Sequence, residues 1–247
     1  MGERKVGIIV QARMGSTRLP GKVMLDLQGK PVLQHIFERL KMCQNVNELI
    51  LATTTNPQDN VLVALARENQ VKVFRGSEDD VLARYYLAAE ENKLDIVIRI
   101  TSACPLIDPE LIDQLILRFI NLKDVDYFSQ GNNRTFPRGL DVEILLFSAL
   151  QKAYLEGHKL YEREHVIPYI YGHPEMFRLE EFHAPVDYSK YRLTLDTKED
   201  YVLIGEIYDR LYPLNNEFGL TDIMKLLDSD HEMAFSNAHV KQKTLCE

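Results

Sequence analysis

Seven positions between residues 13 and 22 carry groups suited to holding an anion: Arg13, Gly15, Ser16, Thr17, Arg18, Gly21 and Lys22. Glycine lets backbone N–H groups approach a phosphate closely, the two hydroxyls can donate, and the three cations supply charge. The stretch follows an apolar run at residues 6–10 that reads as a buried strand, which places the cations at a strand's carboxyl end. Such a loop suits phosphates better than it suits a merely solvated basic segment. The spacing is neither a Walker A loop, which needs Lys-Ser/Thr after its glycines, nor a dinucleotide-binding Gly-x-Gly-x-x-Gly turn. By itself it implies polyanion binding and no particular reaction.

Residues 11–22 as a whole resemble the signature of the nucleotide-sugar cytidylyltransferases, above all the SpsF-like branch of spore-coat polysaccharide synthesis, which is related to the CMP-acylneuraminate and CMP-Kdo synthetases. Arg75-Gly76-Ser77-Glu78-Asp79-Asp80-Val81-Leu82, Cys104-Pro105-Leu106-Ile107-Asp108-Pro109, Gly139-Leu140-Asp141-Val142-Glu143 and Leu195-Asp196-Thr197-Lys198-Glu199-Asp200 resemble the same branch in the same order. The likeness therefore spans nearly the whole chain. It implies transfer of CMP from CTP to a sugar acid, a nonulosonic acid for surface polysaccharide, with release of pyrophosphate. It also implies magnesium as cofactor and a homodimer. Under this resemblance Gln11, Ala12, Arg13, Gly15, Ser16, Arg18 and Lys22 hold the nucleotide, with Arg13 and Lys22 as the catalytic cations. Arg138, Asp141, Glu143 and His165 meet the sugar, and Asp196 binds the metal.

Each assignment has a competing reading in the residues themselves. Asp196 stands before Thr197-Lys198-Glu199 and could cap a helix, and Asp108 before Pro109 is better suited to capping than to coordination. Arginine grips a carboxylate through two parallel hydrogen bonds, and Asp141 and Glu143 can accept from hydroxyls, but charges at 134–143 could also be solvated on a strand edge. A lone His165 is more often structural than catalytic. Arg75 and Arg99 could touch nucleotide or pair with acids. One departure from the family pattern stands out: the branch places a metal-binding Asp just before Cys-Pro-Leu-Ile-Asp, and this chain has Ala103 there. A methyl group cannot coordinate magnesium, so the metal would rest on Asp196, water and triphosphate oxygens. Two alternatives stay open, a glycosyltransferase that consumes a nucleotide-sugar and a nucleotide-binding homologue without turnover.

The elements that must position these groups follow from composition and periodicity. A chain of 247 residues with 45% hydrophobic content can bury one large α/β core, read as a single domain over 1–247. No apolar run approaches the roughly 20 residues of a membrane span, and the charged start lacks a cleavage-site pattern, so a cytoplasmic protein without a membrane partner is expected. Cys43, Cys104 and Cys246 are odd in number and lack metal-site spacing, which favours reduced thiols. The net charge is −8, yet residues 1–41 hold eight Lys and Arg against three acids, leaving −13 on the rest. An acidic body with one basic loop suits a small polyanion and disfavours nucleic acid.

Apolar runs alternate with helical periods, the mark of a mostly parallel, Rossmann-like sheet flanked by helices. The resemblance refines this to a GT-A-like nucleotide-diphospho-sugar transferase fold. Strands are expected at 6–10, 49–53, 71–74, 95–100 as the central strand, 125–129, 142–145, 177–181 and 191–195. Helices are expected at 32–42, 60–69, 78–91 with a capping box at Ser77, 109–119, 148–156, 162–171, 196–212 and 220–228. The polar tail from about 231 has weak periodicity and reads as mobile or as packed on a partner subunit. Ligands of such sheets bind beyond the carboxyl ends of the strands.

Overall fold

Strands rich in Val and Ile with no polar face must be covered on both sides, which requires helices between them. The computed structural model of the chain describes residues 4–131 and 133–243. Its first strand, β1 (Val6–Gln11), is followed by a small hairpin, β2 (Asp26–Leu27) and β3 (Lys30–Pro31), and then by β4 (Glu48–Thr54), β5 (Lys72–Gly76), β6 (Ile96–Thr101), β7 (Tyr127–Ser129), β8 (Glu143–Leu146) and β9 (Leu179–Glu181). All but the hairpin form one sheet in the order β5-β4-β1-β6-β8-β7-β9. β1, β4, β5 and β6 are mutually parallel, while β8 runs antiparallel to β6 and β7. The expected central strand is therefore the middle one, and the strand expected at 142–145 lies inside the sheet rather than at its edge.

The helices are α1 (Val32–Leu40), α2 (Asn60–Glu68), α3 (Val81–Glu91), α4 (Pro109–Asn121), α5 (Phe147–Glu156), α6 (Leu160–His165), α7 (Pro168–Tyr171), α8 (Lys198–Leu211), α9 (Leu220–Ser229) and α10 (His231–Ala234). Ile8, Ile9 and Val10 have no exposed surface, and their alternating directions feed two cores. Ile8 and Val10 join Leu33, Ile112, Leu203 and Leu227 on one face, and Ile9 joins Leu82, Tyr85, Leu150 and Ile170 on the other. Gln11 stands opposite Thr101, the last residue of β6, and opposite Ala52 of β4, which runs two residues further to Thr54. The chain leaves β1 toward β4 and β5 on one side and returns as β6 on the other, and the crevice at such a reversal is where ligands bind.

Three expectations are corrected. α3 begins at Val81, because Asp80 rather than Ser77 is its cap: the Asp80 side chain accepts from Ala83 N at 2.9 Å, and Ser77 Oγ accepts from Asp80 N in the turn before. The helix expected at 162–171 is two helices. Val166 has φ 72°, and Ile167 N donates back to His165 O at 2.9 Å, a strained γ-turn that Pro168 then prevents from resuming the same helix. Residues 191–195 are extended but form only a single bridge, Arg138 with Arg192. The described part of the tail is packed in part on the body of the chain. Met233 and Ala234 are buried, and Asn237 Nδ2 donates to Arg192 O and Asp200 Oδ1 at 3.0 and 2.8 Å. Cys43 and Cys104 are free and buried, and burial pushes both thiols up to about 12; Cys246 lies outside the described residues.

Gly139 (φ 106°) turns the chain against the 191–195 segment, where a β-carbon would lie 2.3 Å from Leu193 C and O. Gly139→Ala is expected to cost about 3 kcal/mol or more in urea unfolding. Gly205, inside α8 with open space around it, should behave oppositely, Gly205→Ala adding about 0.5–1 kcal/mol by helix propensity.

Candidate active site

The loop after β1 is anchored from below by Asp59, which has no exposed surface. Its carboxylate accepts from Met14 N at 2.8 Å and from the Thr54 hydroxyl. Met14 O in turn accepts from Ser16 N at 2.9 Å and Gly21 N at 3.0 Å, which closes the loop on itself. The Gly21 N–H is therefore used internally and is not an anion donor, contrary to expectation. Ser16 Oγ accepts from Leu19 N at 3.4 Å. Among the described residues the N–H groups of Gly15, Thr17 and Arg18 meet no acceptor.

Arg18 and Lys22 converge on Asp196. Lys22 Nζ lies 2.7 Å from Asp196 Oδ1 and also 2.7 Å from Leu195 O, while Arg18 Nη2 is 2.9 Å from Oδ2. Arg192 Nη2 approaches the same oxygen at 3.4 Å. Burial works to raise the Asp196 carboxyl, but Lys22, Arg18 and Arg192 outweigh it and hold the group below its ordinary range. Asp196 is not the cap of α8. Thr197 caps it, Asp200 N donating to Thr197 Oγ1 at 3.3 Å, so the Asp196 side chain is left to face the loop.

What holds Asp196 in place is the fully buried Asp200. Arg192 binds it through Nε and Nη2 at 2.8 and 2.9 Å, and Asp196 N and Thr197 N donate to it at 2.9 and 3.0 Å. Leu195 N donates to Ala103 O at 2.8 Å and Thr194 Oγ1 to the same oxygen at 3.2 Å. Residue 103 thus stands beside Asp196, where the family pattern would put a second carboxylate. Asp108 does not replace it, since Oδ1 caps α4 through Glu110 N at 2.9 Å and Oδ2 accepts from Leu220 N at 2.7 Å. Among the described residues no three His, Cys, Asp or Glu side chains gather as metal ligands.

The residues expected to meet the sugar are only partly brought together. Glu143 is bonded by Arg99 and by Tyr127 OH, the latter at 2.9 Å, and Arg99 Nη2 reaches Gln11 Oε1 at 3.2 Å, which ties this group to the end of β1. Burial opposes the Arg99 charge, yet Glu143 more than offsets it and the guanidinium titrates above its ordinary value. Asp141 pairs with Arg134 and accepts from Gly139 N at 2.9 Å. Arg138 is half-buried and, among the described residues, has no ion pair; burial and the nearby Arg134 both depress it. His165 ends α6, and among the described residues its ring makes no hydrogen bond to any of these groups. Arg13 pairs with Glu78 at 3.1 Å, and Arg75 is tied to the β4–α2 connection through Thr54 O, Asn56 O and Asn60 Oδ1. Sequence reading missed Asp59, Arg192 and Asp200. The Thr197-x-x-Asp200 spacing of a capping box pointed to Asp200, whereas nothing local marked the other two.

Residues 7–238 match the model of the cytidylyltransferase family. The chain is 35% identical over 213 residues to the spore coat polysaccharide biosynthesis protein SpsF of Bacillus subtilis, covering 82% of this chain and 85% of that one. It is 34% identical over 114 residues to the 3-deoxy-manno-octulosonate cytidylyltransferase of Geotalea daltonii, covering 45% and 44%. The solved structure of a cytidylyltransferase from Leptospira borgpetersenii superposes with a TM-score of 0.90 at 36% identity, covering 97% of this chain and all of that one. Among the described residues no helix is long and apolar enough to cross a membrane.

The depressed Asp196 carboxyl has a definite sign in stability. Its contribution is complete above the unfolded value of 3.8 and is lost only as pH falls through the lower folded value. Asp196→Asn is expected to cost about 1–3 kcal/mol at pH 7, because three cations lose their common partner. The difference from the unaltered protein should shrink as pH falls below the unfolded value of 3.8 and through the lower folded one, as measured by urea unfolding at pH 7 and in acid.

Proposed function

Since the chain belongs to the cytidylyltransferase family, we propose that it transfers CMP from CTP to a sugar acid, a nonulosonic acid used in surface polysaccharide, in the cytoplasm and as a homodimer. The observation that carries this reading is the convergence of Arg18 and Lys22 on Asp196 beside the end of β6, next to a loop with free N–H groups. A triphosphate placed there meets two cations and backbone donors at the phosphates that become pyrophosphate. Negative charge grows on those phosphates as the sugar hydroxyl forms its bond to the α-phosphorus, so fixed positive groups stabilise the transition state more than the ground state. Arg13, at the other end of the loop, extends the same lining.

The donor set fits magnesium in a restricted way. Asp196 is held in its charged form by Lys22, Arg18 and Arg192, and magnesium commonly takes one or two carboxylates with waters and substrate phosphates. The cations around Asp196 repel a bare divalent ion, so the metal is expected with the nucleotide rather than before it. Bound there, it would supply further charge neutralisation on the phosphate oxygens. Arg138, an unpaired cation whose backbone bridges to Arg192, is the group best placed to take the acceptor's carboxylate. The acids Asp141 and Glu143, already ion-paired, would accept from hydroxyls with their remaining lone pairs.

Ala103 supports a second reading, a homologue that binds nucleotide without turnover, because it puts a methyl group beside Asp196. Pyrophosphate release from CTP with magnesium and a panel of nonulosonic acids separates the two. Turnover is expected in the unaltered chain, with Lys22→Ala lowering kcat by about a hundred- to a thousandfold. Ala103→Asp should lower the magnesium concentration needed by about tenfold. Turnover only in Ala103→Asp would establish the second reading, and silence in both with every acid would overturn the transferase assignment.

A further inference from the structure

Asn237 lies in the polar tail beyond α10 and is 1% exposed. Its Nδ2 donates twice, to Arg192 O at 3.0 Å and to Asp200 Oδ1 at 2.8 Å. A carbonyl and a carboxylate can only accept, so the amide must present its nitrogen to both. Packing alone does not call for an amide here. Met233 and Ala234 already bury apolar surface, the Phe235 ring stacks on Tyr191 with centroids 5.6 Å apart, and a hydrocarbon at 237 would gain more from burial than an amide does. The segment is brought to this point along α8. Arg210 Nη1 holds Asp230 Oδ2 at 2.8 Å at the last turn of that helix, and Asn237 holds Asp200 at its first turn.

The two oxygens of Asp200 are unequally supplied. Among the described residues Oδ1 accepts only from Arg192 Nε and Asn237 Nδ2, whereas Oδ2 accepts from Arg192 Nη2 and from the amides of Asp196 and Thr197. Without Asn237 the Oδ1 side is held by the guanidinium alone, and a buried carboxylate short of one donor can tilt and carry the Asp196 amide with it. Arg192 Nη2 stands 3.4 Å from Asp196 Oδ2, so a small shift changes how Arg192, Lys22 and Arg18 share that carboxylate. The second bond of Asn237 acts on the same segment. Arg192 O and Leu193 N belong to one trans peptide group, whose C=O is held by Asn237 and whose N–H donates to Arg138 O at 2.6 Å on the opposite side.

We propose that Asn237 is a positioning residue of the active site, acting through the Arg192–Asp200 pair to fix the direction of the Asp196 carboxylate. Both hydrogens of its amide nitrogen are used on the protein, so it acts on substrate only through these neighbours. The assignment rests on the proposed transfer of CMP from CTP and deepens it, by extending the machinery of that site to the C-terminal segment. Groups that must be aimed accurately matter more in the transition state than in the ground state, so losing Asn237 falls on kcat rather than on the KM for CTP.

Pyrophosphate release from CTP with magnesium and the panel of nonulosonic acids tests it on the full chain, comparing Asn237→Leu and Asn237→Ser in the unaltered protein and in Asp196→Asn. Leucine keeps the volume and removes the donor, whereas serine keeps one donor. In the otherwise unaltered protein Asn237→Leu is expected to lower kcat by about tenfold to a hundredfold with the KM for CTP within about threefold, and Asn237→Ser to fall between. In Asp196→Asn the same changes should move kcat by less than about twofold, because the group they act through is already gone. A residue needed only for packing would lower kcat equally in both backgrounds. That equal fall overturns the assignment, as does an unchanged kcat in Asn237→Leu or a loss confined to KM, and each leaves the transferase reading standing. If Asn237→Leu fails to fold, Asn237→Ser is judged in the two backgrounds by the same criteria. Silence of the unaltered chain with every acid overturns the transferase reading and the assignment with it.

Discussion

Asp200 has no exposed surface, and the cluster of Arg18, Lys22, Arg192 and Asp196 is arranged around it. Its two oxygens accept from the Arg192 fork, from the amides of Asp196 and Thr197, and from Asn237. A buried carboxylate is tolerable only when its lone pairs are met in this way, and the reward of burying an ion pair is geometric more than energetic. The reward here is a fixed orientation for the residue four positions earlier. With its amide held by Asp200, Asp196 presents its own carboxylate to Lys22 and Arg18. The loop after β1, the turn before α8 and the segment around Asn237 are thereby joined at one point, although they are far apart in the chain.

The crevice that results is divided by charge. Three cations share Asp196, whereas Arg13 is matched by one acid, Glu78. A single loop spans the two ends, and Asp59 sets its height by holding Met14 N. The loop makes internal bonds through Ser16 and Gly21, which keep it closed, while the amides of Gly15, Thr17 and Arg18 meet no acceptor among the described residues. Preorganised donors of this kind need no rearrangement when a polyanion arrives. Ala103 lowers the negative charge at the cationic end by one relative to the family pattern, so the local field is more positive than two acids would make it.

Legibility in the sequence followed the range of the interactions. Strands and helices with a strong period were readable because the signal is carried by neighbours within a turn or two: β1, β4, β6, α2, α4 and α9 agree with expectation to within a few residues. Errors arose where competing local signals were close in strength. Ser77 and Asp80 are both good caps, and the one nearer the apolar run won. The 162–171 segment has helical composition, but Pro168 removes a donor and the turn at Val166 absorbs the break. Apolar alternation at 191–195 looked like a strand and became an extended segment, because its neighbour bends away at Gly139 after one bridge.

The sequence by itself determined the class of sheet, the cationic and glycine-rich character of residues 13–22, and the absence of a carboxylate at position 103, since these are properties of residue types and short spacings. Tertiary structure alone decided which cations share an anion and which stand unpaired. Arg192 and Asp59 look like any other charged residues along the chain, and their roles arise only when distant segments bury them. The physical reason is that a charge's meaning depends on its partners and its access to water, and both are fixed by packing rather than by sequence neighbours.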